Sequence, residues 1–450
     1  MTEATSQEAQ TVRDFVKEIT EGSFTSAALV SHCLDIVEKT DADIGAWAFL
    51  NKDQALAQAE ACDSTRLHGL PVGELHGIPV GIKDIFDTTD MPTQRGSAIF
   101  KDRQPEVDCA VVERLKEAGA VVMGKTVTTE LAFMHPSDTR NPHNAAHTPG
   151  GSSSGSAAAV AAGQVPLAVG SQTNGSVIRP ASFCGVYGFK PSRGIVSRRG
   201  ALETSNTLDQ VGFFGRDIGD IALLADVVAG YDREDIASYV SPKPKMLQGY
   251  LQDAPVDPTF AWIDMPYSGL YSTDAAAGFE ELLETLGTNV DRIPAPQSFN
   301  TLIPCHKIIH EYEILRRLEA ECGDHWDQLS DTVKPVLENA RNHSDEQYQE
   351  ALEIRSAADD WFKSFFNEYD AILSASALGE APLISAEGTG DPVCCTIWTL
   401  CGLPCINLPL LTGETGLPIG VQLIGALNED DRLMRTTRHF LADLHQQVNS

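Results

Sequence analysis

Apolar residues recur at helical spacing from about Thr25 to Lys39, where Leu29, Val30, Cys33, Leu34, Ile36 and Val37 share a face. A second helical stretch is predicted near Asp53 to Cys62. The short apolar run Gly77-Ile78-Pro79-Val80-Gly81-Ile82 reads as a strand that ends on Lys83. Val111 to Ala118 predicts a helix with Gly119 placed to end it, and Ala120-Val121-Val122-Met123 predicts the next strand. Helix alternating with strand points to an α/β fold with parallel strands in its sheet.

From Asn141 to Gly200 the pattern changes, with Gly, Ser, Pro and Ala dominating and charge almost absent up to Ile178. A flexible linker has a similar composition. The apolar stretches Ala157 to Ala162 and Val165 to Val169 would be wasted in one, so this region reads as buried centre. Beyond it the pattern predicts a helix over about 217–230, a strand at Phe260 to Ile263 and a helix over Ala275 to Leu286. His306 to about Tyr369 is acidic and helical. Short strands then return at Ala371 to Leu373, Cys405 to Leu408 and Gly420 to Ile424, before an amphipathic helix from about Glu429 to Leu444. No internal repeat is present.

Composition narrows the function more than the fold. The chain has 450 residues and a formal charge of −30. Such a surface repels phosphate backbones and anionic headgroups, so neither nucleic acid nor a membrane is an expected partner. No apolar run is long enough to span a bilayer. Met1 to Glu21 is acidic without an apolar centre, which predicts no secretory signal and a cytoplasmic location. The ten cysteines form no C-x-x-C set and read as reduced thiols, several of them small hydrophobes. Neither their spacing nor the scattered histidines suggests a metal site, and no metal or organic cofactor is expected.

The candidate chemistry lies in Thr148-Pro149-Gly150-Gly151-Ser152-Ser153-Ser154-Gly155-Ser156 and in Gly170-Ser171-Gln172-Thr173-Asn174-Gly175-Ser176-Val177-Ile178-Arg179-Pro180. Glycine-rich turns let backbone N–H groups converge on an anion, and a serine closing such a turn can attack what the anion site holds. A serine nucleophile needs a base, and the only odd basic group nearby in pattern is Lys83 at the end of an apolar strand. Burial there would favour its neutral form, although Asp84 could instead pair with it and keep it charged.

These motifs together resemble the amidase-signature family, with Gly416 to Gly425 matching the family's last core strand. The resemblance covers most of residues 70–215 and the final eighty or so, and it is weak in the helical section about 230–369. It implies a single large α/β domain over residues 1–450, with a mixed, twisted central sheet covered by helices on both faces. It also implies hydrolysis of C–N bonds through an acyl-enzyme, with Ser176 as nucleophile, Ser152 after a cis peptide bond as bridge, and Lys83 as base. Backbone N–H groups of Thr173, Asn174, Gly175 and Ser176 would form the oxyanion hole. Many members have Asp at Gln172 and Gly at Asn174. Asn tolerates left-handed backbone better than other side chains, which would keep the turn feasible.

Motif detail resembles the malonamidase-type branch, in which Arg179 would hold a substrate carboxylate, with Gln172 a tentative second contact. The implied partner is a small-molecule amide or carbamate, and a homodimer is left open. Plainer roles stand beside these. Ser154 and Ser156 could cap the following helix, Arg179 could be an ion-pair partner, Asn174 and Gln172 could serve only to shape the turn, and His143 and His147 read as loop hydrogen-bonders. Three rivals share these letters. Gly151 to Gly155 fits G-x-S-x-G, which would make Ser153 an esterase nucleophile, but no strand precedes it. The amidase subunit of a tRNA-dependent amidotransferase belongs to the same family, and the acidic surface and chain length weigh against it. A non-catalytic binding protein would not need the intact triad.

Overall fold

The computed structural model of the chain describes residues 10–384 and 388–448, so the first nine positions of the acidic amino-terminal stretch lie outside the described residues. In chain order the elements are α1 (Val12–Glu21), α2 (Ser26–Ile44), β1 (Trp47–Leu50), α3 (Lys52–Leu67), β2 (Pro79–Lys83), α4 (Ala110–Glu117), β3 (Val121–Thr126), α5 (Ser154–Ala161), β4 (Leu167–Gln172), α6 (Ile178–Cys184), β5 (Tyr187–Lys190), β6 (Gln210–Gly215) and α7 (Ile218–Val228). They continue with α8 (Met246–Leu251), β7 (Phe260–Asp264), α9 (Thr273–Leu286), β8 (Val290–Pro294), α10 (Leu302–Cys322), α11 (Lys334–Ala340), α12 (Asp345–Phe365), β9 (Ala371–Ala375), α13 (Val393–Leu400), β10 (Cys405–Thr412), β11 (Pro418–Ile424) and α14 (Asp430–Val448).

All strands join one 11-stranded sheet in the order β1-β3-β2-β4-β6-β5-β10-β11-β9-β7-β8. The fold is α/β and the sheet mixed. Parallel pairing is confined to β2 with β3 and β4 and to β7 with β8 and β9, while the centre is antiparallel. Alternation along each strand assigns the two faces. Val122, Leu167, Val169 and Phe213 pack in one apolar cluster with α4 and α7 residues. Val121, Met123, Ala168 and Phe214 pack in the other with α2, α3 and α5. Helices therefore cover both faces.

Local chemistry explains the ends. Gly119, expected to stop α4, has φ +78° just beyond it. Ser344 and Gln347 form a reciprocal cap on α12. The acidic middle section makes α10, α11 and α12. Cys394, Cys395, Cys401 and Cys405 are all buried. Among the described residues, no helix is long and apolar enough to cross a membrane.

Candidate active site

β2 is buried along its whole length, so its last residue, Lys83, enters the interior with it and is 0% exposed. The Lys83 Nζ lies 2.7 Å from Ser152 Oγ and 2.8 Å from Ser171 Oγ. Burial pulls the Lys83 ammonium down to about 7, and the Asp209 carboxylate opposes that shift. Asp84 does not take Lys83 as its partner. It stands 3.5 Å from Lys125 and accepts the Gln94 N–H, so the ion pair forms one strand away.

The peptide between Gly151 and Ser152 is cis. The Ser152 carbonyl accepts from Thr129 N–H at 3.1 Å. Ser153 fastens this segment to β4, its hydroxyl donating to the Ser171 carbonyl (3.2 Å) and accepting the Ser171 N–H (3.3 Å). That close approach requires glycine at 170, where a Cβ would lie 2.7 Å from Ser153 Oγ. Ser154 and Ser156 do not cap α5. Because the helix is buried from Ser154 through Val160, their hydroxyls reach neighbouring carbonyls, those of Gly150 and Val169. No strand leads directly into Ser153, as an α/β-hydrolase nucleophile would require, since β3 ends at Thr126.

Beyond β4 the chain turns through residues 173–176, and each successive carbonyl is held by a different element. Thr173 C=O accepts from His306 Nε2 of α10 at 2.9 Å, and because a carbonyl can only accept, that nitrogen carries the proton. Asn174 C=O accepts from Thr399 Oγ1 of α13 at 2.5 Å. Gly175 C=O accepts from Arg179 N–H of α6 at 3.0 Å. The N–H groups of Asn174, Gly175 and Ser176 donate to no protein group among the described residues. Asn174 does not adopt positive φ, contrary to the expectation that the turn would need left-handed backbone there. Gly175 also has ordinary φ, and its small size is what matters, since a Cβ would sit 2.9 Å from Pro392 Cβ. Ser176 is half-buried, and no hydrogen bond joins its hydroxyl to Ser152 among the described residues.

Gln172, read from the sequence as a tentative substrate contact or a shaper of the turn, faces inward and takes the second role. It is 0% exposed, its carboxamide oxygen accepts the Val177 and Ile178 N–H groups, and its nitrogen donates to Thr399. The carboxamide is occupied in shaping the turn. Arg179 is buried, donating to Gly151 C=O at 2.8 Å and to both oxygens of Thr389. Among the described residues it forms no ion pair and its Nε has no partner. Burial pulls its guanidinium down to about 10. His143 and His147 bond to the carbonyls of Cys184 and Ala381, as the sequence suggested.

The sequence did not single out Ser171, Asp209, His306 or Thr399. Ser171 sits two residues beyond Val169, which pairs with Ile82 next to Lys83, so the strand register alone would have placed it near the lysine. Asp209, whose carboxylate accepts the Thr173 and Thr204 hydroxyls and two backbone N–H groups, carried no such signal.

Residues 28–434 match the amidase family, to which the chain belongs. It is a hydrolase acting on C–N bonds. A glutamyl-tRNA(Gln) amidotransferase subunit from Natranaerobius thermophilus is 32% identical, with 94% of each chain covered. The chain is thus comparable in length to that relative, and the length argument raised against such a role falls away. Among solved structures, one from a vestigial protein complex described as revealing the origins of an s-triazine catabolic enzyme matches with a TM-score of 0.89 and 26% identity, over 96% of this chain and 98% of that one. The native peptide amidase from Stenotrophomonas maltophilia matches with a TM-score of 0.82 and 26% identity over 97% of each chain.

Proposed function

We propose that this amidase acts on small-molecule amides through Ser176, Ser152 and Lys83. One observation carries the reading: a fully buried lysine bonded to Ser152, on a fold whose neighbouring turn offers three N–H groups unpaired among the described residues. Neutral Lys83 takes the Ser152 proton while Ser152 takes that of Ser176. Ser176 Oγ then attacks the carbonyl carbon, and the negative oxygen is received by N–H groups of the turn comprising Thr173, Asn174, Gly175 and Ser176. The relay returns a proton to the leaving amine, and water hydrolyses the resulting ester. A carbamate or aryl-amide carbonyl suits the same chemistry.

The malonamidase-type assignment of Arg179 to a substrate carboxylate is supported by its burial with no carboxylate bonded to it among the described residues, where its Nε is also unpaired. A second reading has a specific basis. The likeness to one component of an amidotransferase would make this chain part of a larger assembly. The charge of −30 weighs against direct contact with tRNA.

A fluorophosphonate should label the purified protein and fail to label Ser176→Ala. A panel of acidic, neutral and aryl amides and carbamates then ranks substrates. Labelling of the Ser176→Ala variant at wild-type level would refute the mechanism, and amide hydrolysis appearing only with co-purified subunits would favour the second reading.

A further inference from the structure

The helical section that the sequence matched least well reaches the candidate oxyanion turn directly. α10 carries His306, whose imidazole bonds to the Thr173 carbonyl in a fully buried contact. The same helix carries Glu313, which accepts from the Ser205 hydroxyl, from Thr207 N–H (3.0 Å) and from Thr207 Oγ1 (2.6 Å). That loop holds Asp209 through the Thr204 and Ser205 N–H groups, and Asp209 takes the Thr173 hydroxyl at 2.6 Å. Thr173 is therefore gripped at its carbonyl and at its side chain by groups on, or fastened to, α10.

A peptide unit is planar, and in its trans form the C=O and N–H point in opposite directions. The carbonyl of Thr173 and the N–H of Asn174 belong to one such unit. Fixing the carbonyl toward α10 aims the Asn174 N–H to the opposite side. Thr399 does the same for the Gly175 N–H, and the α6 bond does it for Ser176. We infer that His306 is a positioning residue that holds the Asn174 N–H toward the developing oxyanion, making α10 part of the catalytic framework. This rests on the proposed reading of the turn as an oxyanion hole. The imidazole suits the task because burial, with His310 beside it, pulls it down to about 3, so it stays neutral and keeps its donor on Nε2 at working pH.

An oxyanion donor acts on the transition state more than on the bound substrate, so misaiming it lowers kcat rather than raising KM. His306→Leu should lower kcat at least about tenfold with KM within about twofold, by the size of one lost hydrogen bond. His306→Gln places an N–H near the former Nε2 and should recover most of the rate. His306→Asn, whose donor falls short of the carbonyl, should not, and it serves if the leucine variant does not fold. Affinity for phenylboronic acid, whose serine adduct puts an oxygen in the hole, should fall in parallel with kcat. Wild-type kcat in the folded leucine or asparagine variant, or equal losses in the glutamine and asparagine variants, would overturn the assignment. Ser176→Ala is assayed alongside. If that variant still turns over, the proposed mechanism itself has failed, whatever the His306 variants show.

Discussion

Lys83 Nζ lies 2.8 Å from the hydroxyl of Ser171, nearly as close as it lies to Ser152. A neutral amine has one lone pair and two hydrogens. With Ser171 accepting one of those hydrogens, the lone pair is free to turn toward Ser152. Ser171→Ala should therefore slow turnover by about tenfold, the value of one hydrogen bond to a buried amine. Ser152→Ala, which breaks the proposed relay, should cost far more. Steady-state rates of the two variants on one substrate make the comparison.

The lysine's pKa of about 7 sets the direction of the pH profile. The base must be neutral, so kcat/KM should fall about tenfold per pH unit below pH 7 and level off above it. A profile flat from pH 5 to 9 would remove Lys83 from the role of base.

The same burial has a thermodynamic side. The folded pKa is depressed from 10.5 to about 7, so between those values the unfolded chain holds a proton that the folded chain has lost. Stability therefore rises with pH across that window, and below pH 7 the full cost, of order a few kcal/mol, is present. Lys83→Met should be inactive yet melt higher than the wild type at pH 6, and the gap should narrow by pH 9. A gap that widens with pH would contradict this sign.

In the turn, space and backbone angle make separate demands. Gly175→Ala would push a methyl to 2.9 Å from Pro392 Cβ and should lower kcat about a hundredfold, as loss of an oxyanion donor does. Asn174→Gly loses only the Thr396 contact and should stay within about threefold, because residue 174 has ordinary φ. Equal losses in both would mean that Asn174 carries more than its backbone.

Arg179 gives a test of substrate class. Arg179→Ala should raise KM at least about tenfold more for an amide bearing a carboxylate than for an uncharged one, since a buried charge-assisted bond is lost only for the first. Equal effects on both would leave Arg179 as a support for Gly151 and Thr389 alone.

Much of this architecture can be read along the chain, and the exceptions have physical causes. β2, β3 and β9 each begin with a short apolar run, and α2 and α4 keep a clean helical stripe. β8 escapes notice because Val-Asp-Arg-Ile-Pro is an edge strand with no fully buried residue. β6 and β5 are interrupted by Gly212 and Gly188, which break the pattern, and β5 ends on the buried Lys190. At the site, Lys83, Ser152 and Ser176 stand out because motifs surround them. His306 and Thr399 do not, because each meets the turn from 133 and 225 residues away, a distance no local pattern spans.

That separation bears on how activity is acquired. A growing chain carries the lysine, both serines and their strands well before residues 306 and 399 are added. A chain truncated before α10 should therefore be silent even where β1 to β6 are ordered.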